Sequence, residues 1–175
     1  MYNIDNKPSR NSLRYRGYDY TRAGYYFITI YCQDKICRFG KINNEQIELN
    51  EFGNIAKNEW LKLPERFKYI KLDVFVIMPN HLHGIIIIND INLGVKINET
   101  ENMPYRIGDI VGAYKSLVSN QCLKLYKTQN VIMGKLWQRN YWEHIIRNED
   151  AYYEIGNYIL NNHLTWKEDK LYVIS

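Results

Sequence analysis

Aromatic and β-branched residues crowd Tyr25 to Cys32 (YYFITIYC), a composition that predicts a β-strand. The run ICRFGKINNEQIEL then shows two short extended stretches about Asn43-Asn44-Glu45, which predicts a hairpin. From Asn50 to Phe67 the period changes. Phe52, Ile55, Ala56, Trp60 and Leu63 recur at three-to-four spacing, so this stretch predicts a helix with Asn50 as its N-cap. Ile70 to Met78 (IKLDVFVIM) reads as a buried strand, Pro79-Asn80 interrupts it, and His81 to Ile88 (HLHGIIII) resumes as another. The polar stretch Asn89 to Arg106 has no period and reads as a loop. A second helix is expected from about Asp109 to Tyr126, with Ile110, Tyr114, Leu117, Val118 and Leu125 as its apolar stripe. The basic and aromatic stretch GKLWQRNYWEHIIRN supplies a further strand, and a last helix is expected from Glu149 to about Asn162. Strand, hairpin, helix, two strands, helix, strand, helix is the order of an α+β domain, in which a largely antiparallel sheet carries packed helices.

Composition narrows this picture little. A chain of 175 residues with 46% hydrophobic content suits one domain with a real core, residues 1–175, and excludes wholesale disorder. Within it we expect a basic arm at 1–23 and a short tail at 164–175. No apolar run approaches the roughly 20 residues of a membrane-spanning helix, and MYNIDNKPSR lacks the apolar segment of a signal peptide, so a soluble cytoplasmic protein is expected. Cys32, Cys37 and Cys122 are an odd count and read as reduced fillers rather than a disulfide framework.

The net charge of +4 is mild, but its distribution is uneven. Lys7, Arg10, Arg14, Arg16 and Arg22 alternate with Tyr15, Tyr18, Tyr20, Tyr25 and Tyr26. Cations that neutralise phosphates and rings that stack on bases suit single-stranded nucleic acid. A solvated arm followed by the tyrosines of a first strand is the equally simple alternative.

The segment MPNHLHGIIII carries the chemistry. Residues two apart on a strand share a face, so His81 and His83 project together while Leu82 faces the other way. They are either polar residues at a strand end or a pair of metal ligands. The otherwise apolar strand favours the second, because two unsatisfied imidazoles beside a core are costly. A third donor must then come from elsewhere. On the last helix, at about 100° per residue, Asn162 falls in the middle of the apolar face defined by Ile155 and Ile159, and Tyr158 lies about 40° from it. A tyrosine and an amide one turn apart could reach one ion, or could be a core tyrosine and an asparagine C-cap. Tyr153 and Asn157 have the same spacing on the solvent side of that helix, while the similar pairs Tyr2/Asn6 and Tyr126/Asn130 fall outside it.

Four blocks in one order, PNHLHG after VFVIM, GDIVGAYKS, LWQRNYWEHIIRN and NYILNN, resemble the REP-associated tyrosine transposases, relatives of the single-tyrosine HUH insertion-sequence transposases. The resemblance runs from about Tyr25 to Trp166. It implies a ferredoxin-like (RRM-like) antiparallel sheet with the HUH pair, His81 and His83, on a central strand. It also implies Tyr158 as nucleophile on a flanking helix and Asn162 as the further metal ligand. The implied activity is cleavage and joining of single-stranded DNA near REP-like hairpins, through a 5′-phosphotyrosine and a free 3′-hydroxyl. One departure is visible, since His163 stands where the family usually has proline, and proline would end the helix sharply.

A set of two imidazoles and an amide oxygen suits Mg²⁺ or Mn²⁺, with Mn²⁺ the better match for nitrogen. Arg14, Arg16, Lys115, Arg139 and Arg147 are candidate DNA contacts, with Lys124 extending the path, each against the reading of a solvated surface charge. His144 is assigned no catalytic role. The expected partner is hairpin-bearing single-stranded DNA, with no membrane, in a bacterial-type nucleoid-associated monomer or homodimer. The rivals are a non-catalytic RRM-like nucleic-acid-binding module and a hydrolase in which water attacks and Tyr158 only packs.

Overall fold

A computed structural model describes residues 23–89, 105–168 and 172. The basic arm, including Arg14 and Arg16, and most of the expected loop before the second long helix lie outside them. Four strands form the main sheet: β1 (Gly24–Tyr31), β4 (Ile70–Ile77), β5 (His81–Ile88) and β6 (Trp142–Ile146). Their order is β4-β5-β1-β6, and every neighbouring pair is antiparallel. The small hairpin of β2 (Gly40–Asn43) and β3 (Gln46–Leu49) stands apart, closed by Asn44 and Glu45 at φ of 47° and 61°, the left-handed pair that a tight two-residue turn requires. This is the α+β antiparallel sheet with packed helices expected from the element order, in the ferredoxin-like arrangement that the family resemblance implied.

The helix expected over Asn50–Phe67 is two: α1 (Glu51–Leu61) and α2 (Leu63–Arg66). Pro64 offers no N–H to the preceding turn, so the helix breaks at Lys62 and restarts with the proline in its first turn. Asn50 caps α1 as expected, accepting the Gly53 amide at 2.9 Å. Helix α3 runs Ile107–Thr128, about two residues longer at each end than the expected Asp109–Tyr126, and α4 runs Glu149–Asn161.

Strand alternation divides the molecule. Tyr26, Ile28, Ile30, Leu82, Ile86 and Ile88 face α1 and α3 in the main core. Gly84 leaves the place where the Trp60 indole rests on the sheet, for a Cβ there would lie 2.6 Å from that ring. Glu59 is buried at the α1–α3 junction and is held by Gln121 at 2.6 Å and Arg66 at 3.3 Å, so its charge is paired where it would otherwise be costly. On the opposite face Phe27, Ile85 and Ile146 meet α4 through Ile159, with Val74, Val76, Tyr152 and Ile155 at the margin. A bulge between Leu72 and Phe75 turns Asp73 to this side, where its carboxylate accepts the Tyr152 hydroxyl at 2.5 Å and ties β4 to α4. That hydrogen bond, with burial, pushes the Tyr152 phenol up to about 12.

Candidate metal and nucleophile site

His81, His83, Ile85 and Ile87 alternate onto the α4 face of the inner strand β5, as two-residue spacing requires. Both imidazoles are buried, at 0% and 3% exposure, and their ring centres lie 4.4 Å apart. Register then supplies each ring with an orienting partner. Thr29 of β1 lies directly across from His83, and its Oγ1 sits 2.8 Å from His83 Nδ1. Asn80, in the break before β5, places Oδ1 2.8 Å from His81 Nδ1.

The Asn80 amide has a fixed orientation, because its Nδ2 donates to the Lys35 carbonyl at 2.9 Å. Its oxygen only accepts, so His81 Nδ1 must carry the proton and Nε2 holds a bare lone pair. That Nε2 is buried without a regular hydrogen bond. Burial holds the His81 imidazole down to about 3, against the opposing influence of the Asn162 side chain beside it, so the ring is neutral at physiological pH. A neutral imidazole with its lone pair presented inward is the form a metal ligand needs, and an acceptor on the other nitrogen is its usual support.

Helix α4 brings in the other two residues. Asn162 is its C-cap, continues the helical backbone at φ −56° and ψ −35°, and is 1% exposed. With His163 after it instead of proline, the chain turns on to a short 3₁₀ segment at Trp166–Glu168 rather than stopping sharply. One turn before Asn162, the Tyr158 hydroxyl lies 3.3 Å from His83 Nε2, and the ring centres are 5.2 Å apart. Tyr158 is 46% exposed, so its oxygen sits at the boundary between the buried imidazoles and solvent. Tyr153 is 62% exposed on the far side of the helix, which separates the two tyrosine–asparagine pairs as the helical wheel does.

Among the described residues no three His, Cys, Asp or Glu side chains gather as a metal site. The two imidazoles with the Asn162 amide beside them come together as expected, and the set is uncharged. The basic candidates divide. Arg139 and Arg147 are exposed and flank β6. Lys115 is not a free cation, because its ammonium donates to the carbonyls of Gln138 at 2.6 Å and Arg139 at 3.1 Å, and partial burial lowers its pKa. It clamps the segment before β6 onto α3. Lys124 is exposed along α3. Sequence reasoning passed over Thr29 and Asn80. The amide immediately before His81 was a usable signal for one, whereas Thr29 is recognisable only once β1 and β5 are in register.

No family model matches the chain. An uncharacterized protein of Haemophilus influenzae is 44% identical over 174 residues, covering 94% of this chain and 93% of its own, and the two belong to one family. A provisionally named REP-associated tyrosine transposase of the same organism is 24% identical over 146 residues, 82% of this chain and 72% of that one. It is a distant homologue. Among solved structures, a REP-associated tyrosine transposase bound to a REP hairpin matches with a TM-score of 0.59 at 19% identity, covering 87% of this chain and 73% of that chain. That likeness establishes the shared fold. No helix among the described residues is long and apolar enough to cross a membrane.

Proposed function

We propose, from its distant homology to the REP-associated tyrosine transposases, that this protein is a transposase-like enzyme that cleaves and rejoins single-stranded DNA near hairpins, with Tyr158 as nucleophile. The observation that carries the reading is the Tyr158 hydroxyl, half-exposed and 3.3 Å from the second of two buried, paired imidazoles. His81, His83 and Asn162 would hold a divalent ion, Mg²⁺ or Mn²⁺, which when bound would draw charge from a phosphodiester and so ease attack on it.

The chain's own part follows from its geometry. Asn80 and Thr29 hold the two rings, so the donor set is built before substrate arrives. Phe27 packs edge-on against Tyr158 and at a tilt against the His83 ring, which limits the phenol to positions beside the imidazoles. The Tyr158 oxygen forms a bond to phosphorus, the bond from phosphorus to the 3′-oxygen breaks, and the phenolic proton is lost toward the solvent that Tyr158 already meets. The 3′-oxygen leaves as a hydroxyl once it takes up a proton. The ester preserves the phosphodiester energy, so a 3′-hydroxyl can reverse the step and join strands.

Polarity tests this proposal. With Mn²⁺ and a single-stranded oligonucleotide carrying a hairpin, a labelled protein adduct should form only when the label lies on the 3′ side of the cut. The upstream fragment should end in a 3′-hydroxyl that a polymerase extends, and the same sequence as duplex should remain largely uncut. Equal cutting of both forms, with free 5′-phosphate ends and no adduct, would favour hydrolysis by water instead.

A further inference from the structure

Tryptophan is the largest apolar side chain, and three of the four in this chain are buried: Trp60 at 0%, Trp137 at 8% and Trp166 at 7%. Trp142 is 42% exposed. It begins the edge strand β6, and its register partner on β1 is Thr29, the residue that orients His83. His83, Thr29 and Trp142 therefore form one cross-strand row on one face of the sheet, which places Trp142 about 10 Å from His83, two strand spacings away.

The α4 face is covered unevenly. Helix α4 packs on β4 and β5. Its reach over the β1–β6 half is limited to Ile159 against Phe27 and Ile146 and the edge contacts of Tyr152 with Tyr25 and of Tyr158 with Phe27, and Tyr25 is still 43% exposed there. The Trp142 indole is nonetheless held in place. It lies parallel to the His144 ring, 5.8 Å away at an interplanar angle of 6°, and meets Phe27 edge-on at 5.5 Å. Phe27 in turn touches both His83 and Tyr158. An exposed, oriented ring contiguous with the site has the character of a stacking platform, since a base offers its apolar face once it is unstacked from its neighbours, as bases of a single strand readily are. Exposed Arg139 and Arg147 precede and follow β6 in the chain, cations of the kind that contact phosphate.

We propose that Trp142 stacks an unpaired base of the single-stranded segment flanking the phosphate presented to Tyr158. This rests on the functional reading above for the position of that phosphate, but stacking itself can be measured without cleavage. The face of β6 is thus part of the substrate site, and it selects for strands whose bases are free.

The experiment uses the Tyr158→Phe protein with chelator, so that nothing is cut, and follows tryptophan fluorescence as hairpin-bearing single-stranded DNA is added. Because the other three indoles are buried, the solvent-exposed, red-shifted part of the emission reports Trp142. That part should be quenched by single-stranded DNA and barely changed by blunt duplex. The quenching should vanish in Trp142→Phe, which should bind nearly as well, while Trp142→Ala should bind at least about 5-fold more weakly, the lower end of what one stacked base is worth. Circular dichroism would establish that both variants are folded. An abasic position walked along the strand should remove the quenching at one site beside the cleavage point. No quenching, or unchanged affinity in a folded Trp142→Ala protein, overturns the proposal even if wild-type protein forms the adduct. Quenching with no adduct in the wild type retains the platform and sinks the catalytic reading.

Discussion

Replacing Tyr158 with phenylalanine should abolish the covalent protein–DNA adduct while leaving affinity for the oligonucleotide within about threefold of the wild type. The two outcomes separate because the substitution removes one oxygen and keeps the ring. The edge contact with Phe27 and the packing against His83 survive, so α4 stays seated. The hydroxyl's hydrogen bond to His83 is long, at 3.3 Å, and comes from a residue that is half in solvent, so water can replace it. For the reaction the same oxygen is the attacking atom, and cleavage should fall at least about a thousandfold. Denaturing gels with a 3′-labelled strand measure the adduct, and filter binding measures affinity. Adduct formation at the wild-type rate would show that Tyr158 is not the nucleophile.

Changing His81 and His83 together to alanine should eliminate cleavage and weaken Mn²⁺ binding at least about 100-fold, the scale on which metal sites respond when even their supporting groups are lost. Chelator should reproduce the loss of activity in the wild type. His81 Nε2 is buried as a bare lone pair without a regular hydrogen bond, an arrangement that costs stability unless something completes it. Calorimetric titration with Mn²⁺ separates lost ligation from lost folding, provided the thermal transition of the variant is recorded alongside. Undiminished cleavage in excess chelator would rule out a metal-dependent reaction.

Local pattern carried much of this site. The two-residue spacing of His81 and His83 is a property of any strand, and the turn between Tyr158 and Asn162 is a property of any helix. Both placements therefore follow from periodicity, and β5 and α4 display them. The supporting residues did not follow in the same way. Thr29 meets His83 across 54 positions of sequence, and that pairing exists only after two strands find their register. Trp142 was visible as an aromatic beside basic residues, but its place in the His83–Thr29 row depends on β6 joining the free edge of β1. Lys115 looked like one more surface cation. Its engagement by two carbonyls more than twenty residues away turns it into a structural clamp, which no spacing rule reveals. The break at Lys62 is different in kind, because Pro64 announced it and the strength of the apolar period obscured it.

The two faces of the sheet also differ in how firmly their helices are anchored. Six buried side chains hold α3, from Ile107 to Cys122, whereas α4 has one, Ile159, supported by partly buried neighbours and the Tyr152–Asp73 clasp. Opening free energy tracks buried apolar contact, so α4 should detach at a lower cost than global unfolding. In hydrogen–deuterium exchange the amides of α4 should lose protection well before those of α3 and β5, and a bound hairpin oligonucleotide should slow them. The residue proposed to carry the covalent bond thus rides on the less firmly anchored of the two long helices, while the imidazoles sit on an inner strand of the sheet.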